Sequence, residues 1–160
     1  MTSADIRAAL FNRRFKRRAG DGKWLYGYAP GVKWVQIAEF CPNLAGCTRW
    51  IDVFEMAMHD SDDLRRIAYE IKVSRSDFLA EVKNPAKRSV AMMHSNQFFF
   101  VAPVGLIRDY ELPQDCGLIE VDDNGKCEIK SNATVRYARE PTWGFVAALC
   151  RRIGKLQDRQ

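Results

Sequence analysis

Apolar and polar positions along the chain fall into nine stretches with helical or alternating spacing. Thr2-x-x-Asp5 is a capping-box pattern and opens a helix expected to reach about Arg18. Ala19-Gly20-Asp21-Gly22 ends it, and Gly27 to Gly31, with Pro30, reads as loop. Trp34 to Phe40 alternates as a half-buried strand does. A loop at Pro42 to Gly46 leads to a second strand, about Trp50 to Met58. The polar turn His59 to Asp63 precedes a third, Arg66 to Val73. Ser74-Arg75-Ser76-Asp77 repeats the capping-box pattern and starts a short helix to about Val82. Asn84-Pro85 restarts the helix to about His94, because Asn caps and Pro is tolerated at the first helical position. Gln97 to Ala102 is a continuous apolar strand of the kind buried on both faces. Gly117 to Val121 and Cys127 to Lys130 flank the hairpin turn Asp122-Asp123-Asn124-Gly125. Thr142 caps a last helix with the apolar stripe Val146, Leu149, Cys150 and Ile153.

The order is α-β-β-β-α-β-β-β-α. A helical crossover between strands three and four implies a parallel pair inside a mixed α/β sheet. No internal repeat or low-complexity segment interrupts residues 1–160, which read as one domain long enough to bury a core.

Composition narrows the class. No apolar run reaches the length of a membrane span, and the arginine-rich N-terminus lacks a secretory core, so a cytoplasmic protein without membrane contact is expected. Five cysteines, an odd number in a chain read as cytoplasmic, argue for reduced thiols. The Cys41-x5-Cys47 spacing is too long for the usual zinc knuckle, and zinc is disfavoured. A net charge of +5 favours an anionic partner, nucleic acid first. Arg13, Arg14, Lys16, Arg17 and Arg18 form either a phosphate-tracking run or a solvated helix face.

The candidate chemistry lies in the strands. Period two puts Ala68, Glu70 and Lys72 on one face of the third strand and Ile67, Tyr69, Ile71 and Val73 on the other. In the second strand Asp52 shares a face with Phe54, Met56 and Met58, while Ile51 and Val53 point away. Glu39 is a third acid in apolar surroundings. Charges in such strands need partners or a metal to remain there. Asp52 and Glu70 on neighbouring strands suit a hard divalent cation such as Mg²⁺, which takes one or two carboxylates. Lys72 would face the same site and offset developing phosphate charge. Taken alone, E-x-K is a weak pattern better explained by a structural Glu70–Lys72 ion pair on an edge strand, with Asp52 solvated near a strand end.

The arrangement resembles the PD-(D/E)xK nuclease superfamily, whose restriction-endonuclease-like core is α-β-β-β-α-β, here followed by a C-terminal hairpin and helix. Asp52 matches the motif's first acid, although no Pro precedes it, and Glu70-Ile71-Lys72 matches (D/E)xK. Glu39 matches an additional upstream acid. Tyr69 to Phe78, YEIKVSRSDF, is similar to a signature of MmcB-type DNA repair nucleases and related phage proteins. The later Phe98 to Pro103, Leu112-Pro113 and Gly117 to Ile119 extend the similarity.

That resemblance implies a DNA-cleaving enzyme dependent on Mg²⁺ or Mn²⁺, acting in DNA repair or phage DNA metabolism. Asp52, Glu70 and the Ile71 carbonyl would hold the metal, and Glu39 and Lys72 would assist. A non-catalytic nucleic-acid-binding module on the same fold is the alternative. Arg75, Lys87, Arg13, Arg14 and Arg17 are candidate DNA contacts, and Ser74 and Gln97 candidate auxiliary groups. Ser74 and Asp77 also suit a plain capping box with Arg75 exposed, and a solvated face suits Lys83 and Arg88. A homodimer would let two sites address both strands.

Overall fold

The computed structural model describes residues 1–12, 34–42, 49–58 and 64–157. In chain order the elements are α1 (Ser3–Asn12), β1 (Trp34–Phe40), β2 (Ile51–Ala57), β3 (Arg66–Ile71), α2 (Arg75–Lys83), α3 (Ser89–His94), β4 (Gln97–Pro103), β5 (Gly117–Val121), β6 (Cys127–Ser131) and α4 (Trp143–Gln157). The strands form one six-stranded sheet whose spatial order follows the chain. β3, β4 and β5 run parallel, and the other neighbouring pairs are antiparallel. The parallel β3–β4 pair meets the expectation from the helical crossover. Parallel β4–β5 was not anticipated, and a thirteen-residue connection, 104–116, makes it with a single 3₁₀ turn at Asp109–Glu111.

Each face of the sheet carries its own core. Val53, Ile67, Tyr69, Ile71, Phe99 and Val101 pack against Ile6, Ala9 and Leu10 of α1. Phe54, Ala68, Phe98, Phe100 and Leu118 pack against Phe78, Ala91, Phe145 and Leu149 from α2, α3 and α4. The period-two division of β3 therefore holds. β4 is buried on both faces, which is why its run of phenylalanines shows no alternation. Thr2 and Asp5 form the reciprocal cap of α1: Thr2 N donates to Asp5 Oδ2 at 2.7 Å, and Asp5 N to Thr2 Oγ1 at 3.2 Å.

Several expectations need correction. The helix after Asn84 is a 3₁₀ turn, Pro85–Lys87, followed by a separate α3, since Arg88 N closes on the Pro85 carbonyl. The buried face of α4 is Phe145, Ala148 and Leu149, whereas Cys150 and Ile153 are exposed. Arg88 is buried, its Nη1 donating to the Glu81 carbonyl at 3.5 Å. Cys41 is disulfide-bonded, against the reading of reduced thiols throughout. Pairing depends on how close two Cα atoms come, which a cysteine count does not reveal. Ile51 joins Phe54's core although period two assigns them opposite faces, and Ile37 and Phe40 do the same on β1. Glu39 lies between them with φ of 50°, and this left-handed residue breaks the alternation of β1 beside Asp52. Among the described residues no helix is long and apolar enough to cross a membrane. Arg13, Arg14, Arg17 and Cys47 lie outside the described residues.

Candidate active site

The site forms where β3 ends and α2 begins. The β2–β3 ladder stops at Val53–Tyr69. Beyond it the Ile71 N–H donates to Asp52 Oδ2 at 2.8 Å. Ile71, expected as a backbone ligand, is thus the residue that ties the two acidic strands together. Lys72 follows the strand, its N–H donating to the Val101 carbonyl at 2.9 Å. This bond holds its backbone in sheet register while its side chain turns towards Glu70.

Lys72 Nζ lies 3.0 Å from Glu70 Oε1, 3.2 Å from Asp77 Oδ2 and 3.6 Å from Glu81 Oε2. The ammonium is almost wholly buried, with 5% of its side chain exposed. Glu81, equally buried, also reaches Lys87 Nζ at 3.9 Å. Asp77 and Glu81 stand four residues apart and therefore on one face of α2, which explains why both meet the same lysine. The Ser74 hydroxyl accepts from Asp77 N at 3.2 Å and caps α2, so the capping reading of Ser74 holds. The Asp77 carboxylate, however, serves Lys72.

Electrostatics mark the acids. Burial first, and the Asp52 charge after it, raise the Glu70 carboxyl to about 7 against the opposing pull of Lys72. Burial also raises Asp52, against the Ile71 N–H, Lys72 and Arg7. For Lys72, burial favours the neutral amine, but Glu70, Asp77 and Glu81 outweigh it and raise its pKa. Four carboxylates, those of Asp52, Glu70, Asp77 and Glu81, here face the two ammonium groups of Lys72 and Lys87.

This donor set fits a divalent cation. Among the described residues Asp52 Oδ1 and Glu70 Oε2 take no hydrogen bond, and both carboxyls bind protons more tightly than usual, chiefly because burial disfavours their charged forms. Among the described residues, no three acids, histidines or cysteines converge as a ready-made metal cage. Two carboxylates with an open remainder match the way Mg²⁺ is commonly held.

The other candidates are placed as follows. Glu39 falls between the pairs Ala38–Val53 and Phe40–Ile51, hence across the ladder from Asp52. Its carboxylate is taken by Arg7 Nη1 at 2.9 Å and Arg152 Nη2 at 3.4 Å. Arg75 is turned away from the acids: Nη1 donates to Glu111 Oε2 at 2.8 Å and to the Leu106 carbonyl at 3.2 Å, and Nη2 pairs with Glu111 Oε1. It fastens the 104–116 connection to α2. Lys87 meets Glu81 and supports the network from behind. Gln97 does not join the site: it pairs in register with Ile67, three residues before Glu70, and its amide donates to the Ala133 carbonyl. His94 is buried and stacks on Phe145 at 5.0 Å. Sequence reading missed Glu81, Arg7 and Arg152. Glu81 carried a signal, an acid four residues after Asp77 on a helix following the motif. The two arginines carried none, because they approach from the first and last helices.

No family model matches the chain, and no curated protein matches it. A solved structure, the SPO1766 protein of unknown function from Silicibacter pomeroyi, is similar to it. The TM-score is 0.57 at 19% sequence identity, covering 79% of this chain and 77% of that one. At that identity the likeness concerns the fold: a mixed α/β sheet flanked by helices.

Proposed function

We propose that the chain is a divalent-metal-dependent deoxyribonuclease with a PD-(D/E)xK-type site on a restriction-endonuclease-like core, acting in DNA repair or phage DNA metabolism. The observation that carries this reading is the pairing of Asp52 and Glu70 on neighbouring strands, both raised in pKa chiefly by burial, with Lys72 fixed 3.0 Å from Glu70. Asp52, Glu70 and the Ile71 carbonyl would hold Mg²⁺ or Mn²⁺. When bound, the ion supplies Lewis-acid chemistry, polarising the phosphoryl group and acidifying water. Lys72 stays cationic in this network, so its part is electrostatic: it offsets charge gathering on the phosphate and orients what lies beside Glu70. Asp77 and Glu81 restrict the ammonium to one position, so little ordering remains to be done when substrate arrives.

One observation favours a non-catalytic nucleic-acid-binding module instead: Lys72 is already satisfied by three carboxylates, as a structural ion-pair cluster would be. A cleavage panel separates the two. Single-stranded, duplex, flap and mismatched DNA are incubated with Mn²⁺ and wild type, Asp52→Asn or Lys72→Gln. Cleavage by wild type alone supports the nuclease. Metal-independent, salt-sensitive binding without cleavage of any substrate supports the module.

A further inference from the structure

We propose that Arg7 and Arg152 form a binding pair for a nucleic-acid phosphodiester at the rim of the carboxylate site, and that Glu39 fills its seat until a strand displaces it. The inference rests on the reading that the neighbouring acids act on nucleic acid. The two guanidinium groups come from α1 and α4, and among the described residues they meet at Glu39, one oxygen each. Arg152 is anchored independently, its Nε donating to the Ala38 carbonyl at 2.8 Å, so its fork keeps its place if Glu39 leaves. Arg7 Nε is buried and without a hydrogen-bond partner among the described residues, so the described group that holds this guanidinium is Glu39. Guanidinium forks match phosphate oxygens bidentately, and they exchange a carboxylate for a phosphate without changing geometry.

Glu39 itself is a weak occupant. Its side chain is 53% exposed, and exposed ion pairs contribute little. Its backbone sits at φ 50°, a conformation that non-glycine residues adopt at a cost and that clusters at functional sites. That strain turns the carboxylate out of the alternation of β1 and onto the arginines. Arg7 also lies close enough to Asp52 to favour its ionised form. Glu39, which the pair holds, lies across the ladder from Asp52 on the neighbouring strand, with about 4.8 Å between the two backbones. A strand with one phosphate between the arginines would carry the next over Asp52 and Glu70.

Fluorescence anisotropy with a short labelled DNA duplex and its single strand, in EDTA over a range of NaCl, tests this. The variants are Arg7→Gln, Arg152→Gln, Arg7→Lys, Arg152→Lys and Glu39→Gln. Lys130→Gln and Glu128→Gln, on exposed positions of the far edge strand β6, control for net charge. Each Arg→Gln change is expected to lower the slope of log affinity against log salt by about one, with the Lys versions near wild type. Glu39→Gln is expected to bind more tightly than wild type by more than Glu128→Gln does. The proposal is overturned if the Arg→Gln variants track Lys130→Gln, or if Glu39→Gln tracks Glu128→Gln. Since no metal is present, the nuclease reading is tested apart from it. Arginine-dependent binding by a protein that cuts nothing removes that reading and leaves this pair standing. Cleavage with arginine-independent binding does the reverse.

Discussion

The Ile71 N–H donates to Asp52 Oδ2 across 2.8 Å, so a carboxylate stands where the β2–β3 ladder would otherwise supply a backbone carbonyl. Asp52 therefore has a structural duty as well as a candidate catalytic one, and different substitutions separate them. Asn retains an oxygen acceptor and loses the charge; Ala loses both. Asp52→Asn is expected to abolish Mn²⁺-dependent cleavage while keeping wild-type stability or exceeding it, because a half-buried acid near Glu70 no longer has to ionise. Asp52→Ala is expected to cost about 1–3 kcal/mol, the usual penalty for a buried donor left unsatisfied. Urea unfolding of both variants checks this, and equal losses would remove the structural duty.

Glu70 links stability to pH. With its folded-state value raised to about 7 against an ordinary 4.5, the folded protein holds this proton where the unfolded chain has released it. Its contribution is thus favourable at low pH and is lost as pH rises from about 4.5 to about 7, with no further change above. Glu70→Gln removes the dependence. The variant should match wild type at pH 4.5 and be more stable at pH 8 by about 1–2 kcal/mol, after discounting for the residual exposure of the group. Millimolar Mg²⁺ should raise the melting temperature of wild type and not of Glu70→Gln, since a ligand stabilises only the state that binds it. Melting curves across pH with EDTA or Mg²⁺ give both results, and an equal Mg²⁺ response in the variant would dissociate Glu70 from metal.

Much of this site was legible in the sequence because strands announce themselves by period two. Glu70 and Lys72 share a face with Ala68 simply through alternation, and Asp52 is conspicuous because Phe54 and Val53 beside it are apolar. The same rule failed at Glu39, where a positive φ breaks the alternation and sends Ile37 and Phe40 to one side. Spacing also said nothing of the partner of Arg75, since Glu111 lies 36 positions away on a connection with no periodic pattern. Long-range polar pairing leaves no trace in local spacing. Asp77 shows the middle case: the capping box located it correctly at the start of α2, yet its carboxylate is directed to a lysine five residues earlier. The stripe of α4 was displaced because its buried face includes Phe145 and Ala148, one position before the apolar residues chosen from spacing alone.

Lys72 needs separate treatment because its removal changes more than chemistry. It is buried among Glu70, Asp77 and Glu81, and deleting the ammonium leaves their charge uncompensated. Breaking such a cluster from one side typically costs about 3–5 kcal/mol. Lys72→Ala is therefore expected to be strongly destabilised at neutral pH, and loss of cleavage by that variant would not by itself assign a role to the lysine. Adding Glu81→Gln to it removes one buried charge and should recover part of the stability without recovering activity. A double-mutant cycle on these two positions, read by urea unfolding, should show coupling of about 1–3 kcal/mol. Additive losses would mean that the 3.6 Å Lys72–Glu81 pair contributes nothing.

Gly117 sets the packing beneath this sheet. It pairs in register with Phe99, and a Cβ built there would overlap the Phe99 ring and come within 2.7 Å of Ala133 N. One obstacle is a side chain and the other is backbone, so the strand cannot absorb a methyl group by a rotamer change alone. Phe99 is itself held, stacked on Tyr69 with centroids 6.0 Å apart, and the Tyr69 hydroxyl is bonded to the buried Glu55 carboxylate. Gly117→Ala should therefore cost about 1–3 kcal/mol, the range for an overpacked core. At about 2–4 °C per kcal/mol for a chain of this size, the melting temperature should fall measurably. Shortening the opposing ring with Phe99→Leu should rescue Gly117→Ala only in part, since Ala133 N remains in the way. Full rescue would assign the whole clash to the ring, and no loss in Gly117→Ala would show that β5 can shift away from β4.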